Sequence, residues 1–449
     1  MNFKRFNIRL SSFQIIILGF VLVILTGTVL LMLPISSGKG TFTPFIDALF
    51  TSTSAACVTG LVVHDTATYW SLFGQAVILL LIQIGGMGVV TVSVAVTRLS
   101  GKKIGLMQRS TMQEAISAHN VGGIVRMTNF IIKIVVLAEL IGAALMAPVF
   151  CKEFGAAKGL WYALFHSVSA FCNAGFDLMG VKGEYSSLTG YTGHPLINIA
   201  VMALIIFGGI GFLTWDDIKT NGIHFKRYRL QSKIILTVSG LLIILPAIYF
   251  FFVEFSKDEW SGMSGAERVF ASLFQSVTTR TAGFNTVDLS KMTDSGQVII
   301  SLLMLIGGSP GSTAGGMKTT TVAVLLISAF SVFRRFDDAQ CFGRRISVEA
   351  VRHAVAVLMM YITLFLGGGL IISLVEGLSV NICLFETASA IGTVGLSLGI
   401  TPGLGLLSRL ILIMLMFFGR VGGLTVIFAA FSNKPTSFSK LPQEKITVG

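Results

Sequence analysis

Seven stretches of roughly 20 mostly apolar residues dominate this sequence, and they limit what the chain can fold into. They are residues 13–33, 72–97, 128–150, 196–214, 232–255, 354–375 and 406–431. Each is long enough for an α-helix that crosses the hydrocarbon core of a bilayer, which takes about 20 residues. The sequence therefore predicts an all-α polytopic membrane protein.

The scarcity of charge supports this prediction and excludes other classes. Charged residues make up 12% of the 449 residues, against roughly 25% in soluble domains. A membrane-embedded enzyme would need acids, bases or metal ligands that converge inside the bilayer, but Glu139 is the only acidic residue deep in a predicted span. The five cysteines and six histidines lack metal-ligand spacing. We expect neither an enzyme nor an organic cofactor.

An eighth predicted span is interrupted. Residues 297–308 are apolar, the segment Ser309 to Met317 (SPGSTAGGM) breaks the run, and apolar residues resume at 321–333. Four shorter semi-apolar stretches lie between the members of successive span pairs, near residues 42–58, 160–173, 266–279 and 380–392. Because they are too short to cross a bilayer, we predict that they form re-entrant helices.

Basic residues predict the orientation of the chain, because cytoplasmic segments of membrane proteins carry an excess of Lys and Arg. If both termini are cytoplasmic, the cytoplasmic segments hold 21 Lys/Arg and 7 Asp/Glu, whereas the opposite segments hold 9 and 13. Residues 1–12 are then a cytoplasmic N-terminus and residues 434–449 a cytoplasmic tail. This topology accounts for the net charge of +12, so no nucleic-acid partner is expected.

A tetrapeptide with glycine in third place recurs four times, after each predicted re-entrant helix. The four glycines are 115, 108 and 112 residues apart. We name the copies glycine loops one to four, and their first three residues are Val58, Thr59 and Gly60; Asn173, Ala174 and Gly175; Thr281, Ala282 and Gly283; Thr393, Val394 and Gly395. Each follows a stretch rich in serine and threonine that starts with phenylalanine.

A second glycine motif recurs in the span after each glycine loop, starting at Gly85, Gly208, Gly307 and Gly419. The shared period predicts four units of span, re-entrant helix, glycine loop and span. They cover residues 13–100, 127–218, 230–335 (with the broken second span) and 352–433. Since each unit crosses the membrane twice, all four enter from the same side. We therefore predict four parallel repeats around one central pore.

Glycine loops inside a membrane fit a cation filter. Backbone outside helices is tolerated there only when protein shields it or when it lines a water-filled cavity. Glycine lets carbonyls turn inward, and rings of carbonyls replace the hydration shell of K⁺ in known filters. The alternative is that these small residues merely pack helices together.

Two features are candidate gates below the glycine loops. Arg420 lies deep in the last span, where lipid exposure of an arginine is costly; it faces the pore or forms an ion pair with Glu139 or Glu386. Residues 309–317, here named the intramembrane loop, either block the pore or form a static kink. Lys318 is a second pore cation or a snorkelling residue. The candidate gate residues are Gly307, Gly308, Ser309, Pro310, Gly311, Ser312, Thr313, Ala314, Gly315, Gly316, Lys318 and Arg420.

The segment Ser276 to Thr286 (SVTTRTAGFNT) and the run SPGSTAGGMKT resemble motifs of the Trk/Ktr/HKT potassium transporters, most closely the bacterial KtrB branch. The resemblance covers residues 10–433. It implies a homodimer in the bacterial cell (inner) membrane, a K⁺-selective pore, an intramembrane gate, and a separate cytoplasmic regulatory ring of the KtrA type that binds ATP and ADP. In plant relatives, serine in the first loop goes with Na⁺ permeation; Gly60 favours K⁺.

The function predicted from the sequence is thus K⁺ uptake through a four-loop filter, with K⁺ as the transported ion. The alternative is a secondary carrier that couples a cation to Na⁺ or H⁺ on the same scaffold. Such a carrier would need ionisable residues at the membrane midplane to bind the coupling ion.

Overall fold

The computed structural model describes residues 11–100, 104–115 and 123–431, together with Pro442 and Glu444. Most of the predicted segments 1–12 and 434–449 lie outside these residues. The first half of the described chain contains ten α-helices: α1 (Ser12–Met32), α2 (Phe45–Ala56), α3 (Thr66–Tyr69), α4 (Leu72–Met87), α5 (Val89–Leu99), α6 (Leu106–Ala115), α7 (Ile124–Phe154), α8 (Ala156–Phe171), α9 (Pro195–Ile210) and α10 (Phe212–Asn221).

The second half contains eight more helices and a short antiparallel hairpin of strands β1 and β2. They are α11 (Leu230–Tyr249), α12 (Gly265–Thr278), α13 (Asp294–Leu305), α14 (Thr319–Phe333), β1 (Gln340–Cys341), β2 (Arg344–Arg345), α15 (Val348–Glu376), α16 (Val380–Gly392), α17 (Leu406–Val421) and α18 (Gly423–Phe431). The all-α membrane architecture predicted from the sequence is confirmed.

Four helices are each long and apolar enough to cross a bilayer, namely α1, α7, α11 with the π-helical turn that extends it to Glu254, and α15. Two further spans are helix pairs bent at a short break, α4 with α5 by 95° and α9 with α10 by 93°. The remaining two predicted spans consist of shorter pieces, α13 with α14 and α17 with α18. The division into four units with the boundaries given above stays a prediction.

Three of the predicted continuous spans are in fact broken at a glycine. Residues 72–97, 196–214 and 406–431 are interrupted at Gly88, Gly211 and Gly422, whose φ angles are 84°, 97° and 88°. These left-handed angles end the helix and are accessible to glycine at little cost. The break predicted in the eighth span is confirmed, because α13 ends at Leu305 and α14 begins at Thr319.

The four re-entrant helices predicted from the sequence are α2, α8, α12 and α16. Each packs against the long helix that precedes it in the chain, α1, α7, α11 or α15. The phenylalanine that opens each hydroxyl-rich stretch is completely buried: Phe50, Phe165, Phe274 and Phe385. Burial of such a side chain stabilises a packed interface by roughly 1.5–3 kcal/mol, so these residues anchor the re-entrant helices.

A glutamate at the end of a long helix binds the start of the second span in the third and fourth units. Glu254 accepts hydrogen bonds from the Thr293 N–H and hydroxyl at 2.8 and 2.7 Å. Glu376 accepts from the Gly405 N–H at 2.9 Å and from the Ser408 hydroxyl. Both carboxylates thus lie at a helix N-terminus, where negative charge is stabilised. These contacts fix α13 and α17 against α11 and α15.

An ion pair joins α17, near the end of the described chain, to α2, near its start. Arg409, at the start of α17, contacts Asp47 in the first turn of α2, and its second guanidinium nitrogen donates to the Pro402 carbonyl at 2.9 Å. The other oxygen of Asp47 lies 2.9 Å from His64 Nε2. Only 18% of the Arg409 side chain and 11% of the Asp47 side chain are exposed. The fourth unit is thereby held against the first.

We expect the Arg409→Gln variant to be less stable than the wild type, because Asp47 would keep a poorly solvated charge without its cation. Breaking a buried pair costs about 3–5 kcal/mol, and some exposure here reduces this to about 2–3 kcal/mol. Thermal unfolding in detergent measures the loss. The control is Arg345→Gln, which removes the exposed pair with Asp338 and should leave the unfolding temperature nearly unchanged. Equal effects in the two variants would contradict the prediction.

Candidate functional site

The four glycine loops share an unusual backbone conformation. The first residue of each has a positive φ, 58° at Val58, 59° at Asn173, 69° at Thr281 and 51° at Thr393. The glycine two positions later also has a positive φ, and the residue between them does not. Left-handed angles at non-glycine residues cost roughly 1–3 kcal/mol each and persist where the surroundings impose them. Positive and negative φ angles therefore alternate along each loop.

The structure brings the four loops together in a closed ring. A Cβ atom on Gly175 would lie 2.8 Å from the Ala282 carbonyl oxygen and 2.9 Å from the Gly283 Cα. In the same way Gly60 abuts Ala174, Gly283 abuts Val394, and Gly395 abuts Thr59. Each glycine therefore approaches the backbone of another loop too closely for a side chain. The loops are arranged around the ring in chain order.

Hydroxyl groups of the re-entrant helices hold the glycine loops in this conformation. Ser54 accepts from the Gly60 N–H at 3.1 Å, and Ser389 accepts from the Gly395 N–H at 3.0 Å. Ser169 and Thr278 instead donate to the carbonyls that follow the second and third loops, those of Phe176 and Phe284. The hydroxyl-rich stretch noted in the sequence thus fixes the ends of each loop.

The middle residues of the loops are fixed through their backbone. The N–H groups of Thr59, Ala174 and Val394 each donate at 2.8 Å to the carbonyl of a serine in the preceding helix. Ala282 donates to Thr278 at 3.0 Å. A hydrogen bond of 3.1 Å between the side chains of Asn173 and Thr281 links the second and third loops. These bonds occupy N–H donors in all four loops, and backbone carbonyl oxygens are among the polar groups that the ring can offer to a ligand.

Two cavities lie on opposite sides of the ring. The outer cavity, of about 450 Å³, is lined by the four loop glycines and by three acids, Asp65, Asp177 and Asp288. The inner cavity, of about 290 Å³, is lined by Arg420, Lys318 and one acid, Glu114 of α6. The cavity on one side of the ring is thus lined by acidic side chains, and the cavity on the other side is lined by two basic side chains and one acid.

Asp177 follows the second glycine loop and faces the outer cavity. Burial, and then repulsion from Asp65, raise the pKa of its carboxyl to about 7, against the opposing hydrogen bond from the Met179 N–H at 2.9 Å. The charge of the outer cavity therefore changes near neutral pH.

The intramembrane loop lies between the second and fourth units. Ser309 and Thr313 donate their N–H groups to Gly209 and Gly208, at 3.0 and 3.2 Å, and Gly311 accepts from Phe212 at 2.8 Å. On the other side, the Gly316 N–H donates to Gly419 at 3.1 Å. These contacts use carbonyls and N–H groups freed where the second spans break.

The same loop closes on itself and contacts a glycine loop directly. Gly307 donates to Met317 at 2.8 Å and Thr319 donates to Gly308 at 3.0 Å. A Cβ on Gly315 would collide with the side chain of Thr393 in the fourth glycine loop. The intramembrane loop is therefore packed immediately against the ring.

Arg420 crosses the inner cavity and binds backbone carbonyls on two sides. Its guanidinium donates to Thr313 of the intramembrane loop and to Gly85 of the first unit, and also to Gly86 at 3.2 Å. Neither carboxylate considered as a partner from the sequence contacts it. Glu386 binds Thr401, at 2.9 Å, and Ser397, while Glu139 lies 3.9 Å from Cys172 Sγ.

Lys318 turns back onto the intramembrane loop. Its ammonium donates to the Ala314 carbonyl at 2.8 Å and to Gly315 at 3.4 Å. It lines the inner cavity together with Arg420, so it belongs to the interior rather than to a snorkelling position at the membrane surface.

Sequence reasoning missed Glu114, whose helix α6 brings it from a polar connecting segment to the inner cavity. A lone glutamate in a charged loop gives no signal of this position. It also missed the loop-holding roles of Ser54 and Ser389, although the serine-rich pattern was visible. Within residues 11–100, 104–115 and 123–431, no group of three or more His, Cys, Asp or Glu side chains is arranged to hold a metal ion.

Comparisons with known proteins agree with this architecture. Residues 6–441 match the sequence profile of the TrkH family, described as a cation transport protein. The chain is 40% identical to the potassium/sodium uptake protein NtpJ of Enterococcus hirae, over 99% of both chains. It is 38% identical to the Ktr system potassium uptake protein B of Bacillus subtilis, over 98% of both.

A solved structure, that of the potassium transporter TrkH from Vibrio parahaemolyticus, superimposes with a TM-score of 0.72 at 19% sequence identity. The match covers 97% of this chain and 87% of the other. At this identity the likeness establishes the fold, whereas the family profile and the relatives establish descent. The members of this family are cation transporters and not enzymes, as the sequence predicted. The chain belongs to the TrkH family of cation transport proteins.

Proposed function

We propose that this chain takes up K⁺ across the bacterial cell membrane through the ring of four glycine loops. The observation that carries the proposal is the ring itself. Each loop has two residues of positive φ and lies against a neighbouring loop, each has N–H groups bonded to the preceding helix, and its carbonyls can serve as ligands. Two relatives that span nearly the whole chain are named potassium uptake proteins, from Bacillus subtilis and Vibrio alginolyticus.

Selectivity would come from the carbonyl oxygens around Gly60, Gly175, Gly283 and Gly395. They would replace water around a dehydrated K⁺, as carbonyl rings do in other filters. The C-terminal ends of α2, α8, α12 and α16 precede the loops, so their helix dipoles add negative potential at the ring. Transport would be passive and driven by the membrane potential, worth about 2.3 kcal/mol per charge per 100 mV.

Arg420 and the intramembrane loop would form the gate. The arginine adds positive charge on the inner side of the ring and bonds the loop to the first unit through Gly85. Opening would require the guanidinium to release Thr313, which would free the loop to move away from Thr393. The hydrogen bonds of Ser309 and Gly311 to the second unit would limit this movement to a hinge.

The working assembly proposed here is a homodimer in the membrane with both termini in the cytoplasm, joined by a nucleotide-binding ring of the KtrA type. The names of the Bacillus and Vibrio relatives describe them as parts of a Ktr system, which supports a second component. The basic cytoplasmic segments, such as Arg334–Arg345, supply charged surface for such a partner.

Uptake of ⁸⁶Rb⁺ into liposomes that contain the purified protein tests the function. An imposed potential, negative inside, should drive uptake that K⁺ blocks and Na⁺ does not. If the protein alone shows no ⁸⁶Rb⁺ uptake, the measurement is repeated with the regulatory ring and ATP added. Uptake that instead requires a Na⁺ or H⁺ gradient would favour the coupled carrier, a possibility raised by the potassium/sodium name of the Enterococcus relative. No uptake under any condition would reject the proposal.

We expect Gly60→Ser to weaken discrimination against Na⁺ by about tenfold, which corresponds to ~1.4 kcal/mol. The new Cβ would displace the Ala174 backbone, and a left-handed φ of 94° disfavours serine. Competition of Na⁺ with ⁸⁶Rb⁺ uptake measures the change.

The matched control for this variant is Gly240→Ser. Gly240 lies in the long helix α11, has no atoms near the position of an added Cβ and has no positive φ. An unchanged ion preference in Gly60→Ser, with a protein that unfolds at the wild-type temperature, would contradict the assignment of the glycine loops as the filter.

We expect Arg420→Gln to raise basal ⁸⁶Rb⁺ uptake about tenfold or more, since a unit charge a few ångströms from a cation path contributes several kcal/mol even at a high effective dielectric constant. Deletion of residues 309–317 should also raise basal ⁸⁶Rb⁺ uptake. The control is Lys133→Gln, which removes an exposed cation from the surface of α7. Wild-type rates in Arg420→Gln would exclude the arginine as a gate.

We expect uptake at low K⁺ to fall as the outside pH drops through about 7. The raised pKa of Asp177 means that its carboxyl is ionised above this pH and neutral below it, so acidification removes negative charge that attracts K⁺ to the outer cavity. The Asp177→Asn variant should show, at every pH, the low uptake that the wild type shows at acidic pH. A wild-type pH profile in this variant would assign the dependence to another group.

A further inference from the structure

A groove on the cytoplasmic side connects the intramembrane loop with the start of α15. Its volume is about 580 Å³, and it lies between the first turns of α11, α14 and α15. Pro310 of the intramembrane loop and the adjoining Lys318 form one end of it, and Arg345, Ser347 and His353 line the other. We name it the basic groove. It reaches from the surface of the molecule to the proposed gate.

The lining of the basic groove is suited to an anion. It contains Lys318, Arg345 and His353, and none of its lining residues is Asp or Glu. Arg345 bonds Asp338 through one guanidinium nitrogen, at 2.9 Å, and 76% of its side chain is exposed. Its planar guanidinium suits bidentate contact with phosphate oxygens.

Neutral polar groups and a helix end complete the site. Gln231, Thr320 and Thr321 line the groove beside the cations and can donate hydrogen bonds. The N-terminus of the 29-residue helix α15 opens onto it through its N-cap, Ser347, and through Ala350. The positive end of a helix dipole favours negative charge at that point.

The apolar part of the lining indicates which phosphate compound fits best. Leu230, Ile234, Val324 and Val357 lie along the groove, so a headgroup at the basic residues would leave room for hydrocarbon beside the helices. Basic pockets between helices on the cytoplasmic side are a known setting for anionic lipid headgroups. A free phosphate would use the cations but not these residues.

Lys318 connects the groove to the gate. Its ammonium holds the Ala314 and Gly315 carbonyls, and Gly315 packs against Thr393 of the fourth glycine loop. A phosphate oxygen is a stronger partner for an ammonium than a neutral carbonyl. A phosphate group that reached Lys318 would therefore weaken the attachment of this lysine to the intramembrane loop.

We propose that the basic groove binds the phosphate group of an anionic membrane lipid and that this binding releases Lys318 from the intramembrane loop and favours conduction. The proposal rests on the proposed gate for its effect on flux. The binding site itself does not depend on the gate, so binding and transport are measured separately.

Binding is measured on the full-length protein in detergent, by titration with dye-labelled phosphatidylglycerol and competition with unlabelled lipid. The test variant is the double substitution Arg345→Gln and His353→Gln. The control is Arg334→Gln with Arg335→Gln, which removes two exposed cations near the same surface but outside the groove. We expect at least about fivefold weaker binding in the test variant only, because loss of one Arg near an anionic headgroup costs about 1 kcal/mol and loss of His353 removes a further hydrogen-bonding group. Equal affinity in test and control variants would overturn the site.

Flux is measured as ⁸⁶Rb⁺ uptake into vesicles of phosphatidylcholine alone, of phosphatidylcholine with phosphatidylglycerol, and of phosphatidylcholine loaded with inorganic phosphate. We expect phosphatidylglycerol to raise uptake several-fold in the wild type and in the control variant, and not in the test variant. If inorganic phosphate alone stimulates uptake, the groove binds phosphate as proposed, but the proposal that an anionic lipid supplies this phosphate is wrong. Full stimulation of the test variant by phosphatidylglycerol would overturn the proposal.

Arg420→Gln separates failure of this proposal from failure of the proposed function. If this variant transports ⁸⁶Rb⁺ but phosphatidylglycerol stimulates neither it nor the wild type, the pathway stands and the groove has no role in gating. If no protein transports ⁸⁶Rb⁺ in any vesicle, the proposed function fails, while the binding titration still decides whether the groove holds a phosphate.

Discussion

Backbone groups that leave a helix inside a bilayer must find partners within the protein, because lipid offers none. The glycine loops and the intramembrane loop show how that requirement is met in this molecule. In the glycine loops the N–H groups bond to the re-entrant helices, notably to the Ser54 and Ser389 hydroxyls. The carbonyls of Thr59, Ala174, Ala282 and Val394 lie against the glycine of a neighbouring loop. In the proposed function, the binding surface for a cation would be built from such carbonyls, which every residue possesses.

The same requirement explains the connection between the ring and the intramembrane loop. In three of the second spans the first helix ends next to a glycine, Gly88, Gly211 or Gly422, which frees carbonyls in its last turn such as those of Gly85, Gly208 and Gly419. Arg420 takes the first of these, and the intramembrane loop takes the other two. The breaks in the spans, the arginine and the loop therefore form one hydrogen-bonded system.

The sequence was sufficient for the broad architecture and for the location of the four loops, because hydrophobic length and a glycine repeat of about 110 residues are local or periodic signals. It was insufficient for the breaks at Gly88, Gly211 and Gly422. Their neighbours remain apolar on both sides, so nothing in a hydropathy pattern marks the change of direction. The contacts of Glu254, Glu376 and Arg409 were also hidden, since each joins residues far apart in the chain. Arg420 was recognised from its depth, but its carbonyl partners depend on the breaks and were not predictable.

The order of the loops around the ring has a consequence for biosynthesis. The last contact of the ring, between Gly395 and Thr59, joins the ends of the helical sequence and cannot form until the fourth unit has been made. Until then the ring of four loops is incomplete. Arg420 follows Gly395 by only 25 residues and bonds to the first unit through Gly85. If Arg420 is the gate, as proposed, a growing chain would acquire its gate almost together with the complete ring, which would limit leakage through a partly synthesised protein.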